Sequence, residues 1–159
     1  MDKKLIILLF MLINGLTGFS QDTIRFVCEE KPIIEILING KVHNVLVDTG
    51  SSMNILCKDV VRQNKMRLRT YYAGNIQSAT TEVKARHVDK AKITLGNRDI
   101  YQFVVVDIVG LTDNIFQSTG IKIAGILGTP AIKELGMVID LRRGIVTLSE
   151  NITISKLNN

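Results

Sequence analysis

An all-β domain is the fold class this sequence predicts, on three observations. Beyond residue 21 most of the chain falls into short runs of β-branched and aliphatic residues, the composition of strands. Turn signals separate these runs at close spacing, among them Asn39-Gly40 and Gly96-Asn97. Strong helix boundaries flank a single later segment, from Thr129-Pro130 to Gly136. Many short strands joined by tight turns indicate a barrel or a sandwich.

Taken in order, Thr23-Ile24-Arg25-Phe26-Val27 is a short β-branched strand. Pro32 opens a second, Ile33-Ile34-Glu35-Ile36-Leu37-Ile38. Asn39-Gly40 then favours a type I′ hairpin, because both residues tolerate positive φ. The return strand, Val42 to Val47, runs directly into Asp48-Thr49-Gly50-Ser51-Ser52. A short helix is expected between Lys58 and Arg67. Alternating strands follow at Thr81–Ala85, Lys90–Leu95 and, past Gly96-Asn97, Ile100–Asp107. In the segment from Thr129, Thr suits the N-cap, Pro130 the first helical position and Gly136 the exit. Met137–Leu141, Arg142-Arg143-Gly144 and Ile145–Leu148 read as a final hairpin.

The 159 residues suit one domain, and 46% hydrophobic content supplies a core. The formal charge is +5, but the 20 basic residues are scattered among 15 acids. The nearest cluster, Lys65-Met66-Arg67-Leu68-Arg69, alternates like the exposed side of a strand or a helix exit. No stacking aromatics interleave it, which argues against nucleic-acid binding. No solenoid-type repeat is present.

At the N-terminus, Met1-Asp2-Lys3-Lys4 precedes an apolar run from Leu5 to about Ile13, then Gly18 and Ser20. This is the layout of a secretory signal peptide over residues 1–20, cut after Ser20. The mature chain, 21–159, is then expected to be periplasmic or secreted, with no stable membrane association. The alternative is an uncleaved anchor, although the run is shorter than the ~20 apolar residues that span a bilayer. Cys28 and Cys57 are compatible with one disulfide or with two buried thiols. Neither these cysteines nor the isolated His43 and His87 have metal-site spacing, so no metal or other cofactor is expected.

The chemistry lies in two landmarks. Val45-Leu46-Val47-Asp48-Thr49-Gly50-Ser51-Ser52 presents a carboxylate at a strand exit beside small hydroxyl residues. Later, Gly125-Ile126-Leu127-Gly128 pairs two bulky aliphatics with glycines just before the Thr129-Pro130 helix. The first stretch resembles the active-site signature of the pepsin and retropepsin superfamily, and the second its hydrophobic-hydrophobic-Gly motif. The likeness runs from about Thr23 to Leu148 and is to the single-lobed, retropepsin-like aspartic proteases.

That resemblance implies a closed acid-protease barrel over about 23–148, with one short helix after the second landmark. It implies an aspartic endopeptidase with Asp48 as catalytic residue, activating water between two carboxylates that share a proton. It gives Thr49 the role of bracing the opposite loop and Gly50 that of the sharp turn. Ser51 would donate a hydrogen bond to Asp48. An acidic to mildly acidic optimum is expected. The chain carries one Asp-Thr-Gly. The second aspartate is therefore expected from another copy, in a homodimer. A peptide or protein substrate would bind extended, as an added strand. The resemblance also calls for a flap, best matched by Tyr72–Thr81 with Gln77, Ser78, Ala79 and Thr80 near its tip. A second reading stays open: a catalytically silent domain of the same fold that binds peptide or supports assembly. So does a third, an unrelated ligand-binding β-barrel.

Overall fold

The Asn39-Gly40 turn organises the first hairpin of the computed structural model, which describes residues 22–77, 82–89 and 91–149. The proposed signal segment lies outside the described residues. Asn39 and Gly40 take φ of 50° and 80°, as a two-residue hairpin of this type demands. They join β2 (Ile33–Ile38) to β3 (Lys41–Val47) in a register from Ile38↔Lys41 to Ile33↔Leu46. In β2, Ile34, Ile36 and Ile38 are buried while Glu35 and Leu37 are exposed, the two-residue period of a strand with one wet face.

The other strands are β1 (Asp22–Arg25), β4 (Asn54–Cys57), β5 (Arg67–Gln77) and β6 (Glu82–Asp89). There follow β7 (Ile93–Leu95), β8 (Arg98–Asp99), β9 (Phe103–Val106), β10 (Ile123–Leu127), β11 (Met137–Asp140) and β12 (Ile145–Leu148). Among the described residues they form a nine-stranded sheet, ordered β5-β6-β9-β4-β10-β3-β2-β7-β8, and a three-stranded sheet, ordered β1-β12-β11. Side chains of both sheets meet in one cluster, where Leu56 and Leu127 join Val146 and Leu148. The fold class is thus mainly β, as predicted.

β10 is the structural centre. It lies parallel to β3 and antiparallel to β4, and all five of its residues are buried. A strand paired on both edges and covered on both faces must be apolar throughout. That accounts for Ile123-Ala124-Gly125-Ile126-Leu127.

Three helices occur among the described residues. α1 (Lys58–Gln63) falls within the predicted Lys58–Arg67 segment, and its tail gives way to β5 rather than continuing to Arg67. The basic cluster after it is both a helix exit and a strand: Arg67 and Arg69 are exposed, Met66 and Leu68 half-buried. α2 (Val109–Thr119) was not foreseen. Only Ile115 of this helix is buried, while Val109, Leu111 and Phe116 are exposed. With one anchoring residue it lacks the apolar stripe that marks a surface helix in sequence. α3 (Thr129–Glu134) is the predicted helix, followed by Gly136 at φ 55°. Its N-cap is Gly128, however, not Thr129.

Candidate active site

The carboxylate of Asp48 is positioned by the two landmarks packing against each other. β3 ends at Val47, which pairs with Leu127, and the Asp48 N–H then donates to the Leu127 carbonyl at 2.9 Å. The chain turns at once. Ser51 N–H reaches back to the Asp48 carbonyl (3.2 Å), and Gly50 N–H donates to Asp48 Oδ1 at 2.8 Å. A Cβ on Gly50 would stand 3.2 Å from that same oxygen, tighter than ordinary packing. Glycine therefore keeps the turn close to the carboxylate. Asp48 is half-buried, and Thr49 and Gly50 are exposed, so the acid is firmly held by its backbone while its loop faces solvent.

Ser51 departs from the expected role. Its hydroxyl donates to the Met53 carbonyl at 2.8 Å rather than to Asp48, because the turn brings its own chain within reach two residues on. A hydroxyl has one proton to give. The backbone carbonyl of Ser51 has a separate task, accepting from the N–H of Thr129 (2.8 Å) and from its hydroxyl (3.2 Å).

The second landmark is explained by the same contact. A Cβ on Gly128 would collide with the carbonyl oxygens of Met53 and Ser51, and one on Gly125 with the carbonyl of Ile55. Both glycines let backbone approach backbone. Ile126 and Leu127 between them are buried, paired with Leu46 and Val47 of β3.

Sequence reasoning missed Asn54. Among the described residues it is the buried polar side chain of the core, wholly inaccessible. Its Oδ1 accepts from Gly128 N–H (3.0 Å) and Ala131 N–H (3.3 Å), and its Nδ2 donates to the Tyr101 carbonyl (3.0 Å). The first turn of α3 has free N–H groups that need acceptors. Asn54 and the Ser51 carbonyl supply them, and Pro130 has none to satisfy. Asn54 thus caps α3 from a distant strand, tying β4, β10 and α3 beneath the Asp48 loop. The available signal was a lone amide in the apolar run Met53-Asn54-Ile55-Leu56, which must find partners if buried.

Of the proposed flap, β5 and β6 form an antiparallel hairpin whose outermost pair is Gln77↔Glu82. Ser78, Ala79 and Thr80 lie outside the described residues. Both cysteines are free thiols, Cys28 directed at the Lys31 carbonyl and Cys57 at that of Ile123. Among the described residues no group of three or more His, Cys, Asp or Glu side chains is placed to hold a metal ion.

A family model described as aspartyl protease matches residues 34–131, from the first hairpin through both landmarks to α3. The chain belongs to the aspartyl protease family. Among solved structures, this aspartyl protease-family chain is similar to the EIAV protease complexed with the inhibitor HBY-793. The TM-score is 0.55 and the identity 25%, over 72% of this chain and 97% of that one. A retropepsin-like aspartic protease from Rickettsia conorii shares the fold at TM-score 0.54 and 17% identity, over 82% of this chain and all of that one. No curated protein matches the sequence. The retropepsin-like fold expected from the landmarks is therefore the fold of this family member.

Proposed function

We propose that this chain is an aspartic endopeptidase that works as a homodimer, each copy contributing one Asp48. The observation that carries the reading is the seating of Asp48. Its N–H is anchored on β10, its Oδ1 is held by Gly50 N–H, and its loop is open to solvent. The sequence holds one Asp-Thr-Gly, and the family's chemistry uses two carboxylates.

In the dimer the two Asp48 side chains face each other across a two-fold axis and share a proton, since like charges about 3 Å apart cannot both ionise. The ionised carboxylate takes a proton from the water between them. That water attacks the scissile carbonyl carbon, and the protonated partner donates to the carbonyl oxygen. The resulting tetrahedral adduct collapses as the proton passes to the amine and the C–N bond breaks. Thr49, exposed at the loop, braces the opposite loop, and the β5–β6 hairpin closes over an extended peptide. Residues 1–20 direct export, so the enzyme acts in the periplasm or outside the cell.

The test is cleavage of a peptide library by residues 21–159 across pH 3 to 8. Wild type is expected to cleave in the acidic range. Asp48→Asn is expected to lose at least about a thousandfold in kcat/KM, near the upper range for removing a general acid–base group, with an unchanged circular dichroism spectrum. An inert wild type that still dimerises and binds peptide would overturn catalysis in favour of a silent peptide-binding domain. The turned-away Ser51 hydroxyl is the observation that favours that second reading.

A further inference from the structure

Four cations, Lys58, Arg62, Lys65 and Arg86, surround a groove of about 580 Å³. Its floor is apolar: Val61 from α1, Met66 from the link between α1 and β5, Leu68 from β5, and Val105 from β9. Among the described residues no acidic side chain lines it, and neither does any residue of the Asp48 loop. Asp107, paired with Lys58, and Asp59, paired with Arg62, both at 2.8 Å, line a neighbouring cavity instead. α1 stands between the two spaces, giving Val60 to one and Val61 to the other.

This separation of charge from carbon defines the ligand. Both ion pairs have side chains at least half exposed, and such pairs hold weakly, so either cation can turn to an anion in the groove. The two arginines, Arg62 and Arg86, carry guanidinium forks, the geometry that makes charge-assisted bonds to a carboxylate. The floor offers something different. β6 is paired on both edges, with β5 and β9, and β9 with β6 and β4. The backbone groups of these two strands are engaged, whereas β5 ends the sheet with one edge unpaired among the described residues, and the floor presents side-chain carbon. The volume is that of a small-molecule site.

We propose that this groove binds a single-chain aliphatic carboxylate of the fatty-acid class. Its chain lies on Val61, Met66, Leu68 and Val105, and its carboxylate lies among Arg62, Lys65 and Arg86. The proposal does not depend on Asp48 being catalytic. The ligand would sit at the root of the β5–β6 hairpin.

The experiment is calorimetric titration of the full chain with dodecanoate below its micelle concentration. Saturable one-to-one binding is expected. Arg62→Glu combined with Lys65→Glu, both exposed positions, is expected to weaken it at least tenfold, and Lys65→Gln alone about threefold. Lys133→Glu, exposed on α3, is expected to leave it unchanged. Dodecan-1-ol, with the chain but no charge, and acetate, with the charge but no chain, should each bind at least tenfold more weakly. Absence of saturable binding, equal binding of either half-ligand, or full affinity in the double variant would overturn the proposal. Sedimentation with anionic vesicles without binding of free dodecanoate would overturn it too, and would reassign the cations to a membrane surface.

Discussion

His43 shows how a single side chain sets a pH response in this fold. It lies half-buried in β3, and its Nε2 finds no hydrogen-bond partner among the described residues. Burial, and secondarily the charge of Lys41, hold its pKa below the usual 6.5. The folded chain therefore binds fewer protons here than the unfolded chain. Stability is fully present above pH 6.5 and declines as pH falls from there toward the lowered folded value. His43→Leu is expected to flatten the slope of Tm against pH in that window, as followed by thermal unfolding at fixed ionic strength. Cys57 is perturbed in the other sense. Burial first, then Asp59 and Asp107, push its pKa up to about 11. At pH 8 its alkylation by iodoacetamide is expected to run roughly a hundredfold slower than that of an unfolded thiol. Guanidinium should restore the normal rate. The Asp48-Thr49-Gly50 turn was legible in the sequence because glycine after a strand-like run marks a sharp turn and the tripeptide resembles a known signature. The bond made by Ser51 was not, because a rotamer chooses between partners only the folded loop brings near.

Between elements, the decisive contact is β10 and α3 against β4 and the Asp48 loop. Asn54→Ala removes the acceptor for two buried N–H groups and is expected to cost about 3 kcal/mol, at the upper end for stranded buried donors, measured by urea unfolding. Gly128→Ala drives a Cβ into two backbone carbonyls that no rotamer change can clear. It is expected to cost at least about 2 kcal/mol and to displace the Asp48 loop, so that the proposed peptidase activity is lost even under conditions where the chain stays folded. Strands were readable wherever one face is wet, as in β2, and α3 was readable from Pro130 and Gly136. α2 was hidden because a single buried residue, Ile115, anchors it. Asn54 was hidden because its partners lie 47, 74 and 77 residues away.

For the whole molecule the central question is assembly. If each active unit needs two Asp48 loops, specific activity is expected to fall on dilution below the dimer dissociation constant. Mixing equal amounts of wild type and Asp48→Asn, and allowing exchange, should leave roughly a quarter of the dimers with two wild-type loops. Retention of half the activity would instead indicate chains that act singly. The family match reaches from the first hairpin to α3, while the β1-β12-β11 sheet lies outside it in sequence. That sheet nevertheless contributes Val146 and Leu148 to the same core, so loss of the final hairpin should unfold the domain rather than trim it.

By itself the sequence determined the strand-rich class, the hairpin at Asn39-Gly40, the carboxylate at the end of β3 and the glycine-bounded landmark. Each rests on a local pattern: side-chain period, backbone freedom, or a short run of residue types that resembles a known signature. Only the tertiary structure decided that β10 runs parallel between β3 and β4, that Asn54 caps α3 across the core, and that cations and carbon from α1, β5, β6 and β9 converge in one groove. Those facts depend on which distant backbone groups need partners once water is excluded, and no local pattern records that.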